Sequence, residues 1–172
     1  MERIRAFTLV ELVVAISIAA VMLAFAVPPL LATLKNSAAT ALGNDLVSSL
    51  NLARTEAVKR GANVTLCTAS DKTLSACGSG QTWTFGWLVF VDANGDGVYS
   101  AGNDTLIKTN TIPNGATLTA TFNNVTFTSA GFVKSVGALI FTAQASGCTG
   151  NNARTITVQN PGHITLAPVA CS

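Results

Sequence analysis

The stretch Phe7–Val27 constrains this chain most. It is an almost unbroken apolar run, preceded by MERIRA, followed by Pro28-Pro29, and interrupted near its start by one acid, Glu11. As a helix rising 1.5 Å per residue it is about long enough to span a ~30 Å hydrocarbon layer. Three readings compete. The basic start Met1–Arg5 and the small-x-small triplet Ala24-Phe25-Ala26 have the form of a cleaved signal peptide. The same run also serves as a plain transmembrane anchor. Both leave Glu11 without a task, although an unpaired carboxylate in hydrocarbon costs on the order of 2–3 kcal/mol even on a lenient insertion scale. Closeness to the end of the span lessens that cost. In the third reading Glu11 is needed, because a cation from another chain neutralises it.

The residues Ala6-Phe7-Thr8-Leu9-Val10-Glu11 closely resemble the class III signal of type IV pilins and pseudopilins. The resemblance implies that a prepilin peptidase cuts between Ala6 and Phe7 and N-methylates Phe7. It also implies that Glu11 faces the amine of a neighbouring subunit during assembly. The family usually has Gly before the cut; Ala6 departs from this, which implies slower processing. Pro28 falls where many pilins carry a helix-bending proline; the plainer reading is that Pro28-Pro29 ends the span. The implied organisation is a leader 1–6, a transmembrane and assembly helix 7–34, and a head 35–172. That places a single-pass protein in the inner membrane with its head in the periplasm.

Within the head, Leu42, Leu46, Leu50, Ala53 and Ala57 recur at helical spacing, opposite Asn44, Asp45, Ser48, Asn51, Thr55 and Lys59. Gly61 after Lys59-Arg60 is a stop signal with cations in the last turn. The pattern predicts an amphipathic helix over 35–60 whose apolar stripe needs a sheet to cover it. The β-rich remainder, 62–172, has strand patterns at Val64–Cys67, Trp83–Val91, Thr105–Lys108, Ala116–Phe122, Val125–Thr128, Ala138–Ala143, Ala153–Gln159 and Ile164–Ala170. A helix followed only by strands is an α+β arrangement, a long helix on an antiparallel sheet. The pilin lollipop has this layout.

Four cysteines, one histidine and no CxxC leave too few ligands for zinc. An even cysteine count behind an export segment points to disulfides. Of three pairings, Cys67–Cys77 and Cys148–Cys171 are favoured, because each pair flanks one local loop.

The head resembles the FimT/GspH minor pseudopilins in two places. One is Cys67 and Cys77, Trp83, Gly86-Trp87-Leu88-Val89-Phe90-Val91-Asp92 with Asn94, Asp96 and Gly97. The other is Cys148, Ala153-Arg154-Thr155-Ile156-Thr157-Val158, Gly162 and Cys171. The resemblance implies a structural subunit that enters, initiates or caps a type IV pilus or type II secretion pseudopilus. Its partners are the prepilin peptidase, other pilins and the inner membrane.

Asp92, Asn94, Asp96 and Gly97 match the first half of a calcium loop. The position of the bidentate Glu holds Asn103, with Asp104 beside it. The alternative is a polar turn, and no cofactor is expected apart from this calcium candidate. Some FimT proteins bind DNA through a Gly-Arg-x-Arg pattern in the last hairpin. The matching positions here are Gly162, His163, Ile164 and Thr165, so both arginines are missing. Arg154 and Lys134 are the remaining candidates, a weak phosphate footprint in a chain of net charge +2. Direct DNA binding is therefore not expected, and an exported DNA receptor is the alternative function. The sequence has one His, no HExxH, no G-x-S-x-G and no phosphate-cradling loop, so no enzyme is expected.

Overall fold

The structure is a computed structural model that describes residues 8–81 and 83–172, with the backbone alone described over 25–36. The chain divides into two units, Met1–Leu34 and Lys35–Ser172. Helix α1 runs Leu9–Arg60. The helix continues through Pro28 and Pro29, although each proline removes one backbone donor. Among the described residues, no helix is long and apolar enough to cross a membrane. The expected span Phe7–Val27 extends beyond the described side chains at both ends.

In the second unit the stripe Leu42, Leu46, Leu50, Ala53 and Ala57 is fully buried. Eight strands follow: β1 Val64–Thr68, β2 Gly86–Val91, β3 Thr105–Thr111, β4 Ala116–Ala120, β5 Asn124–Phe127, β6 Leu139–Ala145, β7 Ala153–Val158 and β8 Ile164–Val169. They form two sheets instead of one, ordered β3-β2-β1-β5 and β4-β6-β7-β8. All named pairings are antiparallel. Both sheets contribute to the core that holds the helix stripe: Val64, Leu66, Trp87, Val89, Val125 and Phe127 from the first, Leu118, Phe141, Ala143, Ile156 and Val158 from the second.

The sheets are patterned differently. In the first, alternate residues of β1 and β2 enter opposite faces, and both faces are apolar. Val64, Leu66, Trp87 and Val89 join the helix-side core, whereas Cys67, Leu88 and Phe90 join a second cluster. Segment 69–85 and Tyr99 supply the cover of that second face through Leu74, Cys77, Phe85 and Tyr99. The second sheet alternates buried and more open positions along β6 and β7, and β8 is exposed beyond Ile164. This is the one-sided pattern typical of antiparallel sheets.

The expected strand Trp83–Val91 starts three residues late, at Gly86. Trp83 leaves the first sheet to pack edge-on against Phe122 and Phe141, at centroid separations of 6.3 and 5.1 Å. Its Nε1 donates to the Phe122 carbonyl at 2.9 Å. Gly86 makes the entry into β2: its φ is +135°, and a Cβ there would run into the Asn110 carbonyl oxygen.

Candidate assembly site and its supports

Ala6 and Phe7, the expected cleavage pair, lie outside the described residues. Glu11 lies in the first turn of α1. The Thr8 Oγ1 accepts the Glu11 amide proton at 3.2 Å, and the Thr8 carbonyl accepts that of Leu12 at 3.2 Å. Thr8 is thus an N-cap, and Thr8-Leu9-Val10-Glu11 has the T-x-x-E form of a capping box. The sequence reading missed this local role, although Thr followed three residues later by Glu is its signal. A carboxylate in the first turn is also favoured by the helix dipole. Glu11 therefore has a stabilising environment within its own helix as well as the intermolecular one expected of it.

Every side chain from Thr8 to Ala24 is exposed. Leu9 is 78% and Met22 67% exposed, so the described side chains of the first unit leave their apolar surface uncovered. The one hydroxyl in the middle of this stretch, Ser17, donates to the Val13 carbonyl at 2.7 Å. Satisfied within the helix, it makes little demand on the surroundings.

The cysteines are joined as Cys67–Cys77 and Cys148–Cys171, each with Cα atoms 5.7 Å apart. The first bridge pins segment 69–85 over the second face of the first sheet. There the Tyr99 amide donates to Cys77 Sγ at 3.2 Å, and Phe90 and Tyr99 meet edge-on at 5.4 Å.

Asp92 is 1% exposed. Its Oδ1 accepts the Gly95 amide at 2.8 Å, and its Oδ2 accepts the Gly97 amide at 3.1 Å and the Thr65 hydroxyl at 2.8 Å. Thr65 in turn bonds Thr126 at 2.7 Å. Asp96 accepts the Val98 amide and the Asn94 side-chain amide. Asp104 turns back to accept the Ala93 and Ser100 amides at 3.0 and 2.8 Å. Apart from the Thr65 hydroxyl, which comes from β1, the donors to these carboxylates are N–H groups of the same loop, the wiring of a self-capped turn. Among the described residues, no group of three His, Cys, Asp or Glu could hold a metal.

The DNA candidates are held apart. Lys134 Nζ donates to the Gly95 carbonyl at 3.2 Å, beside Asn63 past the end of α1. Arg154 lies against Gly43 on the same helix, and its Nη1 donates to the Ala153 carbonyl at 3.0 Å. Positions 43 and 60 of a helix are roughly 25 Å apart along its axis.

Sequence reasoning also missed Arg54. From the helix its Nε donates to the Gly131 carbonyl at 3.2 Å and its Nη2 to the Pro161 carbonyl at 3.1 Å. It thereby ties α1 to the loop after β5 and to the β7–β8 turn. Gly162 in that turn has φ +80°, and a Cβ there would strike the Gly131 carbonyl oxygen and crowd Arg54 Nε. No periodicity marks a residue whose partners lie 77 and 107 positions away.

A helix-capped apolar segment joined to a helix-and-two-sheet head defines a pilin-fold subunit. The sequence pattern described as "Type II transport protein GspH" matches residues 42–162, and the "Prokaryotic N-terminal methylation motif" matches residues 1–27. The chain belongs to the GspH family. The crystal structure of the type IV minor pilin FimU of Pseudomonas aeruginosa is similar at 23% identity and TM-score 0.55, over 77% of this chain and 91% of that one. The minor pseudopilin EpsH of the Vibrio cholerae type 2 secretion system is similar at 16% identity and TM-score 0.52, over 76% and 96%. At these identities the likeness is one of fold. No curated protein matches the chain significantly. Family and fold are those of structural pilin subunits.

Proposed function

We propose that this chain is a minor pilin or pseudopilin. It is cut between Ala6 and Phe7, methylated on Phe7, and held in the inner membrane with its head in the periplasm. From there it enters, initiates or caps a type IV pilus or a type II secretion pseudopilus. The reading is carried by the methylation motif over residues 1–27, whose described side chains, Thr8 to Ala24, are all exposed, with Glu11 in the first turn of α1. Glu11 neutralises the amine of the neighbouring subunit, a pairing that makes a carboxylate tolerable in low dielectric.

The subunit acts by assembly and needs no cofactor. Asp92, the buried acid of the candidate calcium loop, is already supplied with three protein donors. Direct DNA binding is not part of this reading: Arg154, on β7, and Lys134, after β5, sit near different ends of the buried helix stretch, and each bonds a backbone carbonyl. The test is the mass of the mature N-terminus. A chain starting at N-methylated Phe7 is expected; the Glu11→Ala variant keeps that terminus but no longer co-purifies with partner pilins. A mature chain starting at Val27 would establish an ordinary signal peptide and remove the assembly role.

A further inference from the structure

We propose that the Cys148–Cys171 bridge is a reducible latch on the C-terminal strand, opened by thiol–disulfide exchange with a dithiol while the rest of the head stays folded. The inference rests on the contrast between the two bridges and is independent of the filament in which the subunit serves.

Cys67 is 1% exposed and belongs to the second core cluster with Ala69, Leu88 and Phe90. Phe85 and Tyr99 pack against that cluster, and its partner Cys77 already accepts the Tyr99 amide. An attacking thiolate must approach a sulfur directly, and reduction slows as access falls. Cys77 is partly exposed, but attack there must expel Cys67 as a thiolate into that apolar cluster, which is disfavoured.

Cys148 and Cys171 are both partly exposed, and the neighbouring Gly147, Thr149, Ala170 and Ser172 are exposed. Neither cysteine belongs to a core cluster. The strand that this bridge secures is the outermost of the second sheet, and its residues from Thr165 to Val169 are exposed. Apart from the bridge, the chain end is held by the Cys171 amide on the Gly150 carbonyl at 2.9 Å. Three longer bonds of 3.3 Å join Ser172 to the Gln144 side chain. Opening the bridge therefore loosens the end of β8 without unpacking the core.

The chemistry balances. One thiolate of the dithiol attacks one sulfur, the S–S bond breaks, and the other cysteine leaves as a thiolate that takes a proton from water. The second thiol attacks the mixed disulfide and frees the first cysteine. Two electrons pass to the protein, and the dithiol becomes a disulfide. The closed latch gives the second sheet an ordered outer edge; the open one leaves that edge frayed.

The test uses the full-length chain in detergent micelles, titrated with dithiothreitol, trapped with iodoacetamide and mapped by peptide mass. Cys148 and Cys171 should be alkylated at least roughly tenfold faster than Cys67 and Cys77, with the far-ultraviolet circular dichroism retained. Amide exchange should rise over residues 164–172 and not in β1 or β2. The Cys148→Ser/Cys171→Ser variant should fold and show the same exchange pattern without reductant. The latch is overturned if the two bridges open together, or if Cys67–Cys77 opens first. It is equally overturned if labelling of Cys148 waits for loss of the dichroism, or if the double variant fails to fold or exchanges like the parent.

Discussion

The two described stretches of α1 face opposite fates. From Thr8 to Ala24 every side chain is exposed, apolar or not. From Ala39 to Ala57 the apolar positions at helical spacing are fully buried, with Asn44, Asp45, Ser48, Asn51 and Thr55 between them exposed or partly so. One helix thus contains a segment whose apolar surface is satisfied by its own chain and a segment whose apolar surface is not. Helix propensity does not separate them. The difference is where the polar residues fall: spaced to make one wet face in the second stretch, almost absent from the first. An amphipathic stripe needs one covering surface, and a helix that is apolar all round needs an apolar environment on every side. The head supplies the former. Bilayer and neighbouring subunits are the proposed source of the latter.

The comparison is broken most directly by truncating one apolar side chain in each stretch. Leu46→Ala, at a position with no exposure, should destabilise the head by about 2–5 kcal/mol, the usual cost of emptying a packed site. Val14→Ala, at a position 51% exposed, should change head stability by less than about 0.5 kcal/mol. Denaturant unfolding of the full chain in micelles measures both. Equal costs would mean that the first stretch is already covered within the monomer.

A smaller effect is expected at Arg54, whose two bonds fasten the buried stretch to both loops beyond the sheets. Arg54→Ala should cost about 1–3 kcal/mol, since it removes a charged donor from two carbonyls. Arg54→Lys, which lacks the forked donor geometry, should recover only part of that. Full recovery by lysine would show that charge alone is what the position requires.

The smallest effect belongs to the exposed end of the same stretch. There Glu56 pairs with Arg60 and with Lys59. The hydrogen bond from Arg60, aided by the nearby charge of Lys59, holds the Glu56 carboxyl below its usual value of 4.5. A carboxylate lowered in the folded state adds stability that is present above that value and is lost as pH falls below it. Glu56→Gln should therefore flatten the stability profile slightly below pH 4.5. High salt should mask the difference, because the pair is solvent-screened. A salt-independent loss would mark Glu56 as a packing residue instead.

Seven of the eight strands begin within one residue of where the sequence patterns put them, although β3 runs on to Thr111, three residues past the expected Lys108. The exception is the start of β2. Trp83-Thr84-Phe85 reads as strand by composition, but Trp83 is drawn to Phe122 and Phe141, residues 39 and 58 positions further on. The turn 92–97 was legible as a chelating loop from its acids and glycines. The number of N–H donors converging on Asp92 was not, since chelation and self-capping use the same residue types at the same spacing.

What the sequence determined by itself was whatever depends on neighbours within a few residues. That includes the methylation motif at the start of the chain, the Thr8–Glu11 cap, the stripe from Leu42 to Ala57 and the alternation of the strands. Side chains at fixed helical or strand spacing share a face whatever the rest of the chain does. Only the tertiary structure decided that the strands split into two sheets and that one of them is covered on both faces. It also decided that Arg54 reaches two distant loops, and that the Cys67–Cys77 bridge is rooted in a core through Cys67 while Cys148 and Cys171 both stand outside the core clusters. Those outcomes turn on which distant segments compete to cover the same apolar area, and burial of that kind has no direction and leaves no local period.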